Sequence, residues 1–177
     1  MDNWHLRASR PDDVDQMYEV WRAAVLATHD FLAASDFAEI CALVRRDYLP
    51  NRDFTVAVDD TDRVIGFLRM EGNEIDSLYI APSFRAQGLG RSFVAAAASH
   101  GEDLEVEVNA QNRQAVGFYE AMGFCVIAAI QADRQGRPYP LLRMKRSRRQ
   151  PSDSARVPVE NRSEDYLKGL HRGPSRR

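Results

Sequence analysis

The feature of this 177-residue sequence that most limits its fold is a glycine turn between a predicted strand and a predicted helix. Polar and apolar residues alternate over 74–80, and an alanine-rich helix is expected from about residue 91 to 99. Between them lies Arg85-Ala86-Gln87-Gly88-Leu89-Gly90. Glycines in such a turn permit positive φ angles and let a ligand approach the backbone closely. The sequence therefore predicts a strand–turn–helix unit at the centre of the fold.

This turn is suited to bind a phosphate group. The first-turn amides of the following helix have no intrahelical partner and point outward at the positive end of the helix dipole. Arg85 or Arg91 could add charge-assisted contacts. Two nucleotide fingerprints do not fit, because no Lys-Ser/Thr follows the second glycine and the dinucleotide pattern needs a further, earlier glycine. On spacing alone, an ordinary glycine-bearing connection explains the segment equally well.

Hydrophobic spacing predicts strands and helices on both sides of the turn. The predicted strands cover residues 4–8, 54–58, 64–68, 74–80, 104–108, 124–130 and 140–144. Helices are predicted after Pro11 and from a cap at Ser35, with two more over about 91–99 and 112–122. Such a mixture in a chain of ordinary domain length predicts one domain of the α/β class (α+β, mixed sheet).

Charge is distributed unevenly along the chain. Residues 1–145 carry 22 acidic and 15 basic side chains, whereas residues 146–177 carry 9 basic and 4 acidic ones, which together give the net charge of −2. The periodic pattern stops near residue 145, and the remainder is rich in Arg, Ser and Pro. We therefore expect a folded domain over 1–145 and a basic, disordered tail over 146–177.

The remaining composition excludes several classes of protein. Cys41 and Cys125 are too few for a disulfide framework, and no His/Cys cluster has metal-binding spacing, so no metal is expected. No apolar run approaches the ~20 residues that span a bilayer, and the first residues do not begin a signal peptide. The expected setting is a reducing cytoplasm, with no membrane partner.

Two motifs carry a family resemblance. The turn and the order of elements resemble the GNAT superfamily of N-acetyltransferases, whose signature is Arg/Gln-x-x-Gly-x-Gly/Ala. Asn112-x-x-Ala115-x-x-x-Tyr119-x-x-x-Gly123-Phe124 resembles the segment around the family's second CoA-contacting helix. The segments 28–32 and 138–142 further resemble the family's small bacterial YjaB-type branch. The resemblance covers residues 4–145 and implies the acyl-CoA N-acyltransferase fold, a mostly antiparallel central sheet flanked by about four helices.

The resemblance implies acetyl-CoA as co-substrate. Its pantetheine arm would lie beside the main chain of residues 78–80 like an added strand, and its pyrophosphate would rest on the amides of residues 86–91. Asn112 is either a further contact or a helix N-cap. The implied binding residues are thus Leu78, Tyr79, Ile80, Arg85, Ala86, Gln87, Gly88, Leu89, Gly90, Arg91 and Asn112.

The implied chemistry is direct attack of a primary amine on the thioester. Glu74 occupies the family's frequent general-base position, and Asp76 is a second candidate two residues further along the strand. Tyr119 falls where the family places its general acid, and a phenol can give a proton to the departing thiolate. Each role has a plain alternative, since the carboxylates also fit a solvated strand face and Tyr119 has the helical spacing of a core residue.

The acceptor is implied to be a small amine or a protein or peptide amine. His29, Phe31 and Tyr139 are candidates for its pocket, although a lone histidine is more often structural or exposed and the core explains Phe31 and Tyr139 equally well. A non-catalytic acyl-CoA-binding regulatory module is the alternative function. Nucleic acid is disfavoured as a partner, because the folded part is acidic and has no basic stripe. Exposed sheet edges leave a homodimer open.

Overall fold

The computed structural model describes residues 4–100 and 103–147, without the side chain of His100. The predicted tail lies outside the described residues from position 148 onward. The strands are β1 Trp4–Ala8, β2 Thr55–Asp59, β3 Val64–Glu71, β4 Glu74–Ile80, β5 Leu104–Asn109, β6 Cys125–Ile130 and β7 Leu141–Arg146. The α-helices of the described residues are α1 Val14–Leu26, α2 Ala34–Leu43, α3 Leu89–Ala97 and α4 Arg113–Ala121.

The seven strands form one mixed sheet in the order β1-β2-β3-β4-β5-β7-β6. Every neighbouring pair is antiparallel except β4 and β5, which are parallel. The parallel pairing consists of Glu74 with Glu105 and Ile75 with Val106. Beyond that point β4 stays paired with β3 and β5 stays paired with β7, so the sheet opens between its two central strands.

Two hydrophobic cores cover the two faces of this sheet. One packs α3 and α4 on the sheet around Phe93 and Val106, and the other packs α1 and α2 around Trp21 and Phe67. Strand residues alternate between the two cores, as the period of two requires. Helices α3 and α4 therefore lie on one face of the sheet, and helices α1 and α2 lie on the other.

Three local features differ from the sequence prediction. Helix α2 begins at Ala34 and is preceded by Ala33 at the N-cap, so Ser35 is not its cap. Helix α3 begins at Leu89, two residues early, because Gly88 takes a φ of 90° and Leu89 is already buried. A β-bulge lies in β4, since Arg69 pairs with Ser77 and Met70 with Ile75, which leaves Asp76 without a cross-strand partner.

Candidate active site

A cleft of about 440 Å³ lies where β4 and β5 separate. Its walls are the end of α1, the end of β4, the glycine turn and α4. The lining residues are Ala24, Thr28, His29, Leu78, Tyr79, Ile80, Arg85, Ala86, Gly88, Gly90, Arg91, Asn112, Gln114, Ala115, Phe118, Tyr119, Ala121 and Met122. Because residues 78–80 have no pairing with β5, one edge of β4 faces this space. The cleft therefore combines a free strand edge with a helix N-terminus.

The glycine turn presents its backbone amides to the cleft. Gly88 and Ala86 have φ angles of 90° and 59°, and these two left-handed residues turn the chain into α3. Within the described residues, no hydrogen-bond acceptor contacts the N–H groups of residues 86–91. Free amides at the start of a helix form an anion site. Of the predicted turn residues, Gln87 and Leu89 do not line the cleft: the Gln87 side-chain amide donates to the Ser83 carbonyl, and the Leu89 side chain is buried.

Arg85 crosses the cleft from the turn to both side walls. Its guanidinium donates to the Ala24 carbonyl oxygen of α1 at 3.2 Å and to Gln114 Oε1 of α4 at 3.0 Å. Both acceptors are neutral, and burial lowers the pKa of Arg85. No carboxylate of the described residues pairs with it. A positive charge without a counter-ion thus lies beside the free amides, and exposed Arg91 adds a second.

Tyr119 is buried except at the cleft. The residue is 6 % exposed, and its ring packs edge-on against Phe118 and Phe124 at centroid distances of 5.0 and 5.2 Å. Its hydroxyl makes no hydrogen bond to the described residues, among which every fully enclosed side-chain polar atom has a partner. The hydroxyl therefore reaches the cleft. Burial, with a smaller effect of Tyr79, raises the pKa of Tyr119, so the phenol stays protonated at neutral pH.

A family model described as an acetyltransferase (GNAT) domain matches residues 25–146. The chain belongs to the GNAT family. Peptidyl-lysine N-acetyltransferase YjaB of Salmonella typhimurium strain LT2 is 42% identical over 140 residues, which are 79% of this chain and 96% of that protein. The family and the acetyltransferase activity expected from the sequence are thereby confirmed.

Solved GNAT structures share the fold. Apo YjaB from Escherichia coli superposes with a TM-score of 0.76 at 40% identity, covering 80% of this chain and 96% of that chain. PaiA N-acetyltransferase from Thermoplasma acidophilum, solved with coenzyme A, has a TM-score of 0.62 at 21% identity over 81% of this chain and 98% of that chain. The predicted fold class, a mixed and mostly antiparallel sheet flanked by helices, is confirmed.

Asn112, a candidate CoA contact or helix cap, is a helix cap at the edge of the cleft. Its Oδ1 accepts the Ala115 N–H at 3.1 Å and starts α4, and the same residue lines the cleft. Thr28 and Gln114 also line it and were not predicted as site residues. Both residues lie within the segments that resemble the family, Thr28 just before His29 and Gln114 two residues after Asn112. No spacing pattern in the sequence distinguishes either of them as a site residue.

The two candidate carboxylates lie outside the cleft, near the point where β4 and β5 separate. Glu74 is bound by Arg134, which also contacts Glu107 of β5 at 3.0 Å and so bridges the two strands. Asp76 pairs with Arg69 at 2.8 Å and accepts a hydrogen bond from the Tyr48 hydroxyl. Both carboxylates are thus engaged by cations, and neither lines the cleft.

The three acceptor-pocket candidates form an aromatic row. The ring of Phe31 lies 5.2 Å from His29 and 6.0 Å from Tyr139, centroid to centroid. Of the three, His29 lines the cleft. The buried Tyr139 hydroxyl donates to the Asp36 carboxylate and accepts the Ala33 N–H, which fixes the β6–β7 connection to the start of α2.

In residues 4–100 and 103–147, no group of three or more His, Cys, Asp or Glu is arranged to hold a metal ion. None of the helices in this part of the chain is long and apolar enough to cross a membrane.

Gly88→Ala is expected to weaken donor binding. At a φ of 90° a side chain costs roughly 1–3 kcal/mol, although no atom lies within 4 Å of the added Cβ. The turn should relax and misdirect its amides, which we expect to raise the Kd for acetyl-CoA by roughly tenfold, as measured by calorimetry. Gly117→Ala is the control, because Gly117 is helical, has equal space and lacks a positive φ. An unchanged Kd for Gly88→Ala would contradict the role of the turn.

Proposed function

We propose that this GNAT protein transfers the acetyl group of acetyl-CoA to the side-chain amine of a lysine in a protein or peptide. The observation that supports it most is the cleft, which is lined by residues of the glycine turn, by Arg85 without a carboxylate partner, and by Tyr119. The YjaB relatives, which are named peptidyl-lysine N-acetyltransferases, support this class of acceptor.

The donor would be held by main-chain groups. The pyrophosphate accepts hydrogen bonds from the amides of residues 86–91, with Arg85 and Arg91 as counter-ions. Each helix-dipole contribution is only about 0.3–2 kcal/mol, so several donors must act together. The pantetheine amides then pair with the free edge of β4 at residues 78–80, as an added strand would.

The transfer requires two proton movements. The acceptor nitrogen must lose a proton before it can attack. With a pKa of about 10.4, only about one part in 10³ of an alkylamine is in the neutral form at pH 7. The leaving sulfur must gain a proton, and Tyr119 supplies it. Glu74 and Asp76 are the carboxylate candidates for accepting the nitrogen's proton, either of them through a water molecule, since neither carboxylate lines the cleft.

Two measurements test this function. Acetyl-CoA at 100 times its Kd should stabilise the fold by about 2.7 kcal/mol and raise the melting temperature. Incubation with lysine peptides and a panel of small amines should then release CoA thiol, with mass spectrometry locating the acetyl group on a lysine. Failure of acetyl-CoA to change the melting temperature would refute donor binding. Stabilisation without thiol release from any amine would instead support an acyl-CoA-binding regulatory module.

A further inference from the structure

We propose that His29 is the group that takes the proton from the acceptor nitrogen, through its Nε2 atom. The inference rests on the proposed acetyl transfer, and it assigns to His29, which lines the cleft, the proton that Glu74 or Asp76 could accept only through a water molecule. Its basis is the position of His29 on the cleft wall formed by the end of α1.

The hydrogen bonds around the ring determine which nitrogen is free. The Thr28 hydroxyl donates its single proton to the Ala24 carbonyl oxygen at 2.9 Å. Toward His29 Nδ1, at 2.8 Å, the same oxygen can therefore only accept, which assigns the proton of the neutral ring to Nδ1. Nε2 then carries the lone pair.

That lone pair opens onto free space. Within the described residues, Nε2 has no hydrogen-bond partner, and no fully enclosed side-chain polar atom lacks one. His29 also borders a second, smaller cavity of about 190 Å³ between α1 and α2, lined by Leu26, Asp30 and Phe37 among others. The imidazole thus borders both the cleft and a second space, whose apolar side chains could contact the alkyl chain of an amine and whose Asp30 could attract its ammonium group.

The surroundings keep the imidazole neutral. Burial lowers the pKa of His29, and Arg85 lowers it further, while the Val25 carbonyl and Asp30 act in the opposite direction. The titratable groups on the other cleft walls are Tyr79 and Tyr119, both protonated at neutral pH, together with the cation Arg91. An ammonium group that enters this cleft has its own pKa lowered by the same burial. The gap between the pKa of the acceptor amine and the pKa of the His29 imidazole is thereby reduced.

His29 and Tyr119 account for every proton that moves in the reaction. His29 Nε2 accepts one proton from the ammonium and returns it to solvent. The neutral amine attacks the thioester carbon, so that the C–N bond forms and the C–S bond breaks. Tyr119 gives its proton to the sulfur and regains one from the nitrogen as the amide forms. The reaction thus converts an ammonium and a thioester into an amide, a thiol and one released proton.

His29→Gln tests this step through its pH dependence. With saturating acetyl-CoA and a lysine peptide, wild-type kcat/KM should be level from about pH 7 to 10, because neutral His29 acts on the abundant ammonium form. The variant can use only the free amine, so its kcat/KM should rise about tenfold per pH unit up to the amine pKa of about 10.4. Because the two profiles should meet near the amine pKa of about 10.4, the deficit is expected to be roughly 10³-fold at pH 7 and to shrink as the pH rises.

Controls separate this inference from the proposed function. His5→Gln changes an exposed histidine of β1 and should leave the profile unchanged. His29→Ala should recover activity with added imidazole in proportion to the neutral imidazole present, which also decides the matter if His29→Gln fails to fold. A deficit that is equal at every pH, or no rescue by imidazole, would overturn the role of His29. Absence of thiol release from the wild type would instead refute the acetyl transfer itself.

Discussion

Tyr119→Phe is expected to lower kcat by roughly 10²-fold, the size of a typical general-acid contribution, with the Kd for acetyl-CoA unchanged. The substitution removes only the hydroxyl, because the ring keeps its edge-on contacts with Phe118 and Phe124. The hydroxyl has no hydrogen bond to the described residues, so its loss should leave the melting temperature unchanged. Steady-state kinetics with acetyl-CoA and a lysine peptide, alongside calorimetric binding, measure both quantities.

Tyr18→Phe is the matched control for this prediction. Tyr18 is also a buried helical tyrosine, but it belongs to α1 and lies outside the cleft. Its variant should keep the wild-type kcat. Because burial raises the pKa of Tyr119, the wild type should show no loss of kcat from phenol ionisation below pH 10. If Tyr119→Phe weakened donor binding as much as turnover, Tyr119 would be a packing residue and the proposed acid would be wrong.

Asp13→Asn is expected to lower the free energy of unfolding by about 1–3 kcal/mol, the cost of disrupting the hydrogen bonds of a buried charged group, since Arg7 keeps its ion pair with Asp62. Asp13 is 4 % exposed and accepts two hydrogen bonds from Arg7, at 2.7 and 2.9 Å, and one from the Arg10 N–H at 2.7 Å. The asparagine amide would present a donor to the guanidinium in place of an acceptor. Urea denaturation followed by circular dichroism measures the loss.

Asp62→Asn provides the comparison, since Asp62 also binds Arg7, at 3.0 Å, but its side chain is 52 % exposed. Its loss should cost less than about 1 kcal/mol. The Arg7 hydrogen bond, together with the Arg10 N–H, lowers the pKa of Asp13. The stabilisation by Asp13 is therefore complete above its unfolded pKa of about 3.9 and is lost as the pH falls through the lower folded value. A gap between wild type and Asp13→Asn that did not narrow as the pH fell below about 3.9 would contradict this linkage.

The glycine turn and the helix that carries Tyr119 are largely visible in the sequence. Gly88, Gly90 and Arg85 are close together in the chain, so their spacing predicts the turn and the helix start. Tyr119 follows from Asn112 at a fixed helical distance. Such local patterns survive folding because each one is completed within a single turn or helix.

The contacts of the two carboxylates, Glu74 and Asp76, could not be predicted from the local sequence. Arg134 reaches Glu74 from 60 residues away, and Tyr48 reaches Asp76 from 28 residues away. The bulge at Asp76 is set by the register between β3 and β4 and has no local sequence signal. Whether a strand carboxylate is solvated or held by an arginine is therefore decided by tertiary contacts.

The two-pair contact between β4 and β5 also has a mechanical consequence. The sheet has two parts, β1–β4 and β5–β7. The strand pairing that joins them consists of two residue pairs, Glu74 with Glu105 and Ile75 with Val106. A force that separates the two parts would act on these two residue pairs and on Arg134, which joins Glu74 of β4 to Glu107 of β5. The boundary between β4 and β5 thus has the fewest residue pairs of any two neighbouring strands in the sheet, and an extended molecule that bound along β4 would add hydrogen bonds beside it.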